Sequence, residues 1–450
     1  MMRPRVIALI AVLALVVAAC TGDVAGTTTT AAPDDEPTTT EGAEPTTTAA
    51  GATTTTGGDA EGPLAEFGET TDADPALVEK ALGPVGEVPD IVLASIARAS
   101  QDLDQATIDK AIECYTNAVE CDTGTGGDVI MGYADGGGLN VWRQVTRMEA
   151  ILQALTYPEI GTIVMRDAQW STDPAVPIGD INYMVERGVT FIIGYPDWGV
   201  ALGDAIKAAE AAGIPYVPYS AGWVGLPGQD GALVPGEDYL TIVGEDLCAL
   251  GESFAQVINE GVVEGTIGVL GGTPGNALSL GWQQCHIPAL AEGIEVINPP
   301  ADPNSTTGDT YWANDIARDV VSGWLSTNPD IKGFSYEYAD GLYTALDGVE
   351  IDEMTIAIRT DEQTLFCDWA ERGNPNYNIW YSAGGNFQSR TAVTAQMLNL
   401  AGYDVPENIV VPHVMRQVTE ADCNPDRVTP TVSNTSLVPD EVLALMYPGG

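Results

Sequence analysis

The sequence predicts an α/β protein with two doubly wound parallel sheets, preceded by a helical segment. From Asp128 onward, short apolar segments alternate with helical segments. The short segments are almost continuously apolar, which is typical of strands covered by helices on both faces. The βα units are too numerous for one small sheet, and 450 residues leave room for two domains.

Eleven short apolar segments are predicted as strands: 128–133, 161–167, 190–196, 214–220, 239–244, 265–272, 294–300, 331–337, 354–360, 377–383 and 408–414. Helical segments such as VWRQVTRMEAILQAL and WANDIARDVVSGWLSTN lie between them. Ligands of such sheets bind beyond the carboxyl ends of the strands. Residues that directly follow a strand are therefore the candidate site residues.

The first 19 residues have the layout of a secretory signal peptide. Arg3 and Arg5 precede the apolar run IALIAVLALVVAA, which is short for a membrane span. The run ends at Val-Ala-Ala-Cys20, which resembles the lipobox of bacterial lipoproteins. We therefore expect removal of residues 1–19 and lipidation of Cys20. An ordinary signal peptide with a chance cysteine is the alternative.

Two further segments precede the α/β region. Residues 20–58 are rich in Thr and almost devoid of large apolar residues, so we expect a disordered tether that cannot bury a core. Residues 59–126 contain amphipathic stretches, with a break between Ser100 and Gln105. They are predicted to form a helical extension.

Six cysteines follow Cys20: Cys114, Cys121, Cys248, Cys285, Cys367 and Cys423. An even number in an exported protein indicates disulfides, with 15 possible connectivities. We predict the pairs nearest in sequence, 114–121, 248–285 and 367–423. A metal site is not expected, because no C-x-x-C occurs and the histidines, His286 and His413, are badly spaced for a shared ion.

The net charge argues against polyanionic partners. The chain has 64 acidic and 17 basic side chains, a formal charge of -47, which repels nucleic acid and anionic membrane surfaces. Catalytic patterns are also missing from the sequence, which has no G-x-S-x-G motif and no histidine beside a candidate nucleophile. We expect neither an enzyme nor a cofactor.

A glycine turn, Gly136–Gly138, follows the first predicted strand. The dinucleotide fingerprint G-x-G-x-x-G is incomplete here and the P-loop lysine is missing, so the turn is predicted to be structural and not a phosphate cradle. Asn140, Trp142 and Arg143 follow it and are candidate ligand contacts. The alternative is that Asn140 only caps the next helix and Trp142 only packs.

Further candidate ligand residues follow the other predicted strands. Tryptophans recur beside them, which favours a cleft with aromatic faces and polar groups, suited to a polyol or another polar molecule with an apolar face. For any single tryptophan, ordinary packing is the alternative. The candidates are Asp167, Trp198, Ser220, Trp223, Asn276, Tyr338, Asp361 and Asn386.

From about Gly127 to Val414 the chain resembles a type 1 periplasmic binding protein of the ribose/galactose kind, the solute receptor of an ABC importer. The resemblance is carried by NVWR at 140–143, by VERGVTFIIGYPDWGVALGDAIKAAEAAGIPYV, by GTPGNA and by EYADGLYTAL. It implies two Rossmann-like lobes that are joined by three crossovers and close on the ligand about a hinge. By position, the first lobe would comprise 127–243 and 384–412, and the second 244–383 and 413–450.

The resemblance also implies roles for individual residues, and the sequence departs from the family pattern at two places. Asn140 and Trp142 match the first-loop ligand contacts, and Asp361 matches a sugar-binding aspartate. Ser220 and Ala221 stand where sugar binders carry Asp-Arg, and 278–280 read Leu-Ser-Leu where an arginine is expected. A simple pentose or hexose is therefore in doubt. The 59–126 extension lies outside the family pattern.

The function implied by the resemblance is that of a lipid-anchored extracytoplasmic solute-binding protein. It would be a monomer that carries a small polar ligand to the permease subunits of an ABC importer, held at the membrane by its lipid anchor alone. A sensory receptor that signals to a partner protein is the main alternative, and an enzyme on the same scaffold is a further one.

Overall fold

The computed structural model describes residues 64–117, 119–136, 140–168, 171, 173–220, 223–383, 385–424 and 432–448. All of them belong to the unit Ala60–Gly450. The predicted signal peptide, the lipidation site Cys20 and the tether 20–58 lie outside the described residues, as do Gly137, Gly138 and Ala221.

The described strands form two sheets. They are β1 (Glu120–Asp122), β2 (Val129–Asp135), β3 (Ile160–Asp167), β4 (Phe191–Tyr195), β5 (Tyr216–Ser220), β6 (Ile242–Gly244), β7 (Gly265–Val269), β8 (Ile294–Val296), β9 (Ile331–Tyr336), β10 (Met354–Ile358), β11 (Tyr377–Tyr381), β12 (Asn408–Val410) and β13 (Arg416–Gln417). The first sheet has the order β1-β3-β2-β4-β5-β6-β12 and the second β13-β11-β10-β9-β7-β8.

Each sheet is parallel except at one edge, where β1 pairs with β3 and β13 pairs with β11 in antiparallel fashion. The chain passes between the sheets after β6, after β11 and after β12. These are the three crossovers that the resemblance implies. All five residues of β4 and of β10 are buried, as expected for strands with helices on both faces.

The helices are α1 (Pro75–Leu82), α2 (Asp90–Ala99), α3 (Gln105–Thr116), α4 (Val141–Leu155), α5 (Ala175–Arg187), α6 (Gly203–Ala211), α7 (Leu247–Gly261), α8 (Ala277–Ala289), α9 (Asn314–Thr327), α10 (Ala339–Leu346), α11 (Gln363–Arg372), α12 (Gln388–Leu400) and α13 (Asp440–Met446). Side chains cap several of them. Asn140 accepts from the backbone N–H of Arg143 at 2.8 Å, and Asn276 from that of Leu278 at 2.9 Å. None of the described helices is both long and apolar enough to cross a bilayer.

All eleven predicted strands have a counterpart, with ends that differ. The predicted strand 294–300 ends at Val296, before Pro299 and Pro300, which have no backbone N–H to donate to a sheet. The prediction missed β1 and β13, which are only three and two residues long. All three predicted cysteine pairs are confirmed as disulfides.

The helical extension packs on the first lobe. α2 lies against α12 and α4. Ser95 hydrogen-bonds Thr391 at 2.9 Å, and Arg98 donates to the carbonyl of Thr156 at 2.9 Å while its guanidinium lies 3.7 Å from the centre of the Tyr157 ring. The extension therefore forms a further helical layer over one face of the first sheet, and its β1 extends that sheet.

The C-terminal segment contacts both lobes. β13 pairs in the second sheet, as the assignment of 413–450 to the second lobe expects. Beyond it, the backbone N–H groups of Leu437 and Val438 donate to Glu149 of α4 at 2.7 and 3.2 Å, and α13 packs on α3. The structure thus places residues 437–446 against the first lobe, because the buried Glu149 carboxylate binds the segment there.

Candidate functional site

A cavity of about 610 Å³ lies between the carboxyl ends of the two sheets. From the first lobe it is lined by residues that follow β2, β3 and β4: Gly136, Asn140, Val141, Ser171, Asp197 and Trp198. From the second lobe it is lined by residues after β7, residues before and in the first turn of α9, and residues after β9: Thr273, residues 311–316, Tyr338 and Asp340. This is the position expected for a ligand site between two doubly wound sheets.

Arg143 lies buried at the base of this cavity. Its guanidinium donates to Asp135 at 3.0 Å and to Asp197 at 2.5 Å, and stacks 3.6 Å from the centre of the Tyr195 ring. Burial opposes its charge, but the carboxylates of Asp197 and Asp135 raise the pKa of Arg143 above its ordinary value. The charge of Arg143 is therefore already paired with two carboxylates of the protein.

Asp197 is the buried acid of the first lobe wall, with 4% of its surface exposed. Burial raises the pKa of Asp197 to about 7, Arg143 opposes this, and the charges of Asp135 and Asp167 add to it. A Cβ on Gly136 would lie 2.0 Å from Asp197 Oδ2, so a glycine is required beside this carboxylate. Sequence reasoning selected the neighbour Trp198 and missed Asp197, whose signal was its position directly after a strand.

Trp312 of the second lobe reaches the first lobe across the cleft. Its ring meets the Tyr195 ring edge-on at 5.8 Å, and its indole N–H donates to Glu337 at 2.5 Å. A Cβ on Gly272 would lie 2.0 Å from the Trp312 ring, so the indole lies directly against that backbone. Trp312 has φ of 53°, in the left-handed region, which the sequence did not reveal.

Glu337 collects two indole donors at the floor of the cleft. Trp282 donates to its other carboxylate oxygen at 2.5 Å. Burial raises the pKa of Glu337, and the hydrogen bonds from Trp282, Ser279 and Trp312 oppose that rise. Sequence reasoning missed this residue as well, although it directly follows β9.

Hydrogen bonds from side chains also join the two lobes. Asn276 donates to the carbonyls of Pro196 and Asp197 at 3.2 and 3.0 Å. On the hinge side, Arg359 donates to Ser220 at 2.8 Å and to Glu245 at 2.8 Å. The bonds from Asn276 and from Arg359 to Ser220 therefore join the two lobes.

The chain matches the periplasmic binding protein domain family over residues 134–398, more than half of its length. It belongs to that family. The comparison with curated proteins found no match.

Several solved structures share the fold of this periplasmic binding protein. One is an ABC transporter solute binding protein from Agrobacterium vitis with bound D-fucose, with 17% identity and a TM-score of 0.55, covering 67% of this chain and 99% of that one. Another is from Bacillus halodurans with bound myo-inositol, with 17% identity and a TM-score of 0.52, covering 65% and 96%. A third, from Mycobacterium smegmatis in complex with β-D-fucofuranose, has 16% identity and a TM-score of 0.51, covering 65% and 92%.

The structure of the periplasmic binding protein brings part of the predicted site together. Asn140, Trp198 and Tyr338 line the main cavity. Trp142 and Arg143 lie at its base, where a small adjoining cavity contacts both. Asn276 and Ser220 make the bridges between lobes described above, and Asp167 forms an ion pair with Arg147 of α4.

The three remaining predicted site residues, like the five just described, lie outside the described lining of the main cavity. Asp361 accepts from the backbone N–H of Thr435 at 2.7 Å and from the Ser433 hydroxyl. Asn386 donates to the carbonyl of Trp142 at 2.9 Å, joining α12 to α4. Trp223 lines a separate cavity of about 440 Å³ with residues such as Gly244 and Cys285.

Proposed function

We propose that this chain is a lipid-anchored extracytoplasmic solute-binding protein that delivers a small polar ligand to an ABC importer. The observation that carries the proposal is the 610 Å³ cavity between the carboxyl ends of the two sheets, whose lobes contact each other across it. Cavities of roughly 300–1,000 Å³ bury most of the surface of a small ligand. The ligand would be bound without turnover, released to the permease when the lobes part, and carried by a monomer.

The solved structures support a polar ligand. The Agrobacterium vitis and Bacillus halodurans proteins hold D-fucose and myo-inositol, which are small and rich in hydroxyl groups. The cavity of this chain offers aromatic faces, among them Trp198 and Tyr338, next to polar groups such as Asn140 and Thr273. Aromatic faces with a few oriented polar groups suit such molecules.

Native mass spectrometry of the untreated full chain tests the proposal. We expect a retained small molecule that is lost on denaturation and that, when added back, raises the melting temperature. A chain that retains nothing and shows no thermal shift with a broad panel of metabolites would contradict it. Chemical conversion of the retained molecule would indicate an enzyme.

The lipid anchor is supported by the sequence at Cys20. In the native host, Cys20→Ser is expected to move the protein from the membrane fraction to the medium, because one lipidated residue provides the attachment. Fractionation followed by immunoblotting measures this. A variant that stays with the membrane would argue against lipidation at Cys20.

A further inference from the structure

The wall of the main cavity combines acids with aromatic faces. Its described lining includes the carboxylates of Asp197, Asp315 and Asp340 and no lysine or arginine. Its aromatic members are Trp198, Tyr311, Trp312 and Tyr338. Acids alone would not define a ligand, but two buried acceptor atoms in this wall lack a donor.

The first of these acceptors is Oδ2 of Asp197. Oδ1 of the same carboxylate accepts from Arg143, whereas Oδ2 is buried and has no hydrogen-bond partner. It lies against Gly136, which itself lines the cavity. A buried carboxylate oxygen without a donor is costly, so the protein gains free energy if the side chain turns this oxygen toward a donor on the ligand.

The second acceptor is Oδ1 of Asn314, on the opposite lobe. The amide nitrogen of Asn314 donates to Asp340 at 2.7 Å. Only the nitrogen of an amide can donate to a carboxylate, so this bond fixes the orientation of the amide. Oδ1 is thereby left buried without a partner.

The neighbouring cations do not balance these acids. Arg143 is shared between Asp135 and Asp197, and Arg147 pairs with Asp167, so three carboxyl groups face two guanidinium groups. Arg359 is engaged by Glu245. Asp340 accepts from Asn314 and Tyr338, which are both uncharged. Burial raises the pKa of Asp197 to about 7 even though Arg143 opposes that rise, so the carboxyl group lacks solvation that a ligand cation would replace.

We propose that the cavity takes a small organic cation, an amine or a quaternary ammonium, whose charged end lies between Asp197 and Asp340. Its apolar part would lie against the aromatic faces of Trp198 and Trp312. This inference rests on the proposed function and names the class of its ligand.

A cation fits this wall better than a neutral polyol does. Each hydroxyl of a polyol brings two acceptor lone pairs with its one donor, whereas both unpartnered wall atoms are themselves acceptors. An ammonium group supplies donors alone, and aromatic faces attract it through the quadrupole of the ring. A quaternary ammonium has no N–H but keeps the attraction to the carboxylates and the rings.

Calorimetric titration of the full chain at pH 8 with matched probes tests the inference. The pairs are D-glucamine with D-sorbitol, and choline with its neutral isostere 3,3-dimethylbutan-1-ol. We expect the cation of at least one pair to bind at least tenfold more tightly than its neutral partner. Asp197→Asn should lower that affinity at least tenfold, since it removes the charge and keeps the shape.

Two further variants control for folding and for general charge. Asp315 is exposed on the cavity rim, so Asp315→Asn should fold and lower the affinity for the cation two- to threefold even if Asp197→Asn does not fold. Glu264 is an exposed acid outside the described lining of the cavity, and Glu264→Gln should bind as the wild type does. An equal loss in Glu264→Gln would reduce the effect to net charge and overturn the inference.

The outcomes separate the inference from the function on which it rests. If D-sorbitol, D-fucose or myo-inositol binds as tightly as the cations or more tightly, the inference is overturned and the proposed function stands. If no probe of either kind binds, the inference is overturned and the proposed function loses support with it.

Discussion

Arg143 and Asp197 form an ion pair that only the folded chain brings together. They lie 54 positions apart in sequence and 2.5 Å apart in the structure. Both residues follow a strand of the first sheet, but their pairing depends on β2 and β4 lying side by side. The sequence made Arg143 a candidate ligand contact but could not reveal that its charge is already engaged by Asp135 and Asp197.

Asp197 is expected to make stability depend on pH. Its folded pKa of about 7 lies above the ordinary value of 3.8. Well below pH 3.8 both states hold the proton, and as the pH rises to 7 the unfolded chain releases it first, so this carboxylate destabilises the fold. The stability of Asp197→Asn relative to the wild type should therefore rise by about 2–4 kcal/mol between pH 4 and pH 8.

Urea unfolding at a series of pH values measures this difference. Arg143 stays charged throughout, so its lost partner shifts the comparison by a constant and leaves its slope unchanged. Asp135, Asp167 and Tyr195 also surround the carboxyl, and all three are present in both proteins. A difference that does not change with pH would show that Asp197 ionises as an ordinary surface acid does.

Asp361 is expected to act on stability. The resemblance implied a ligand contact, whereas the structure gives its buried carboxylate to Ser433 and Thr435 of the C-terminal segment. Asp361→Ala would leave buried donors unpaired and should lower the free energy of unfolding by about 2–4 kcal/mol. Urea unfolding measures it, with Asp347→Ala at an exposed helix end as the control. An unchanged midpoint would contradict this role.

At the scale of the element, the sequence predicted long and periodic segments best. The alternation of apolar strands and amphipathic helices located the eleven strands, because burial on both faces produces near-continuous apolar runs. β1 has the burial pattern exposed, buried, exposed over three residues, which is too short for a periodic signal. At the sheet edge it pairs with β3, and the disulfide of Cys121 joins it to α3.

The segment before α9 could not be predicted, because its conformation depends on another element. Trp312 takes a left-handed backbone and lies on Gly272, which follows β7. Gly272→Ala would place a methyl group 2.0 Å from the indole and force it to move. We expect a loss of about 1–3 kcal/mol in stability and greater quenching of tryptophan fluorescence by acrylamide.

Gly323 supplies the matched control for this substitution. It lies in α9, and an added Cβ there would meet nothing within 4 Å. Gly323→Ala should leave quenching unchanged and raise stability by about 0.5–1 kcal/mol, because alanine favours a helix over glycine. If Gly272→Ala behaved in the same way, Trp312 would not depend on the glycine.

At the scale of the whole molecule, the resemblance predicted two lobes and three crossovers, and the structure has both. It did not predict how the additions at either end join them. The extension covers α4 and α12 of the first lobe, and the C-terminal segment contacts Glu149 and Asp361 in turn. These contacts join residues far apart in sequence, and no periodic pattern marks them.

Closure of the two lobes should depend on the amide of Asn276. Its nitrogen donates to the carbonyls of Pro196 and Asp197, while its oxygen caps α8. Asn276→Asp keeps the cap but turns a second carboxylate oxygen toward those carbonyls, so the lobes should repel each other there and separate. Small-angle scattering at pH 8 without ligand should give a larger radius of gyration for Asn276→Asp than for the wild type.

The reverse change at the cap of α7, Asp246→Asn, is the control, because it preserves that cap and should leave the radius of gyration unaltered. An Asn276→Asp protein as compact as the wild type would mean that other contacts between the lobes, such as Trp312 on Tyr195, suffice to keep them closed.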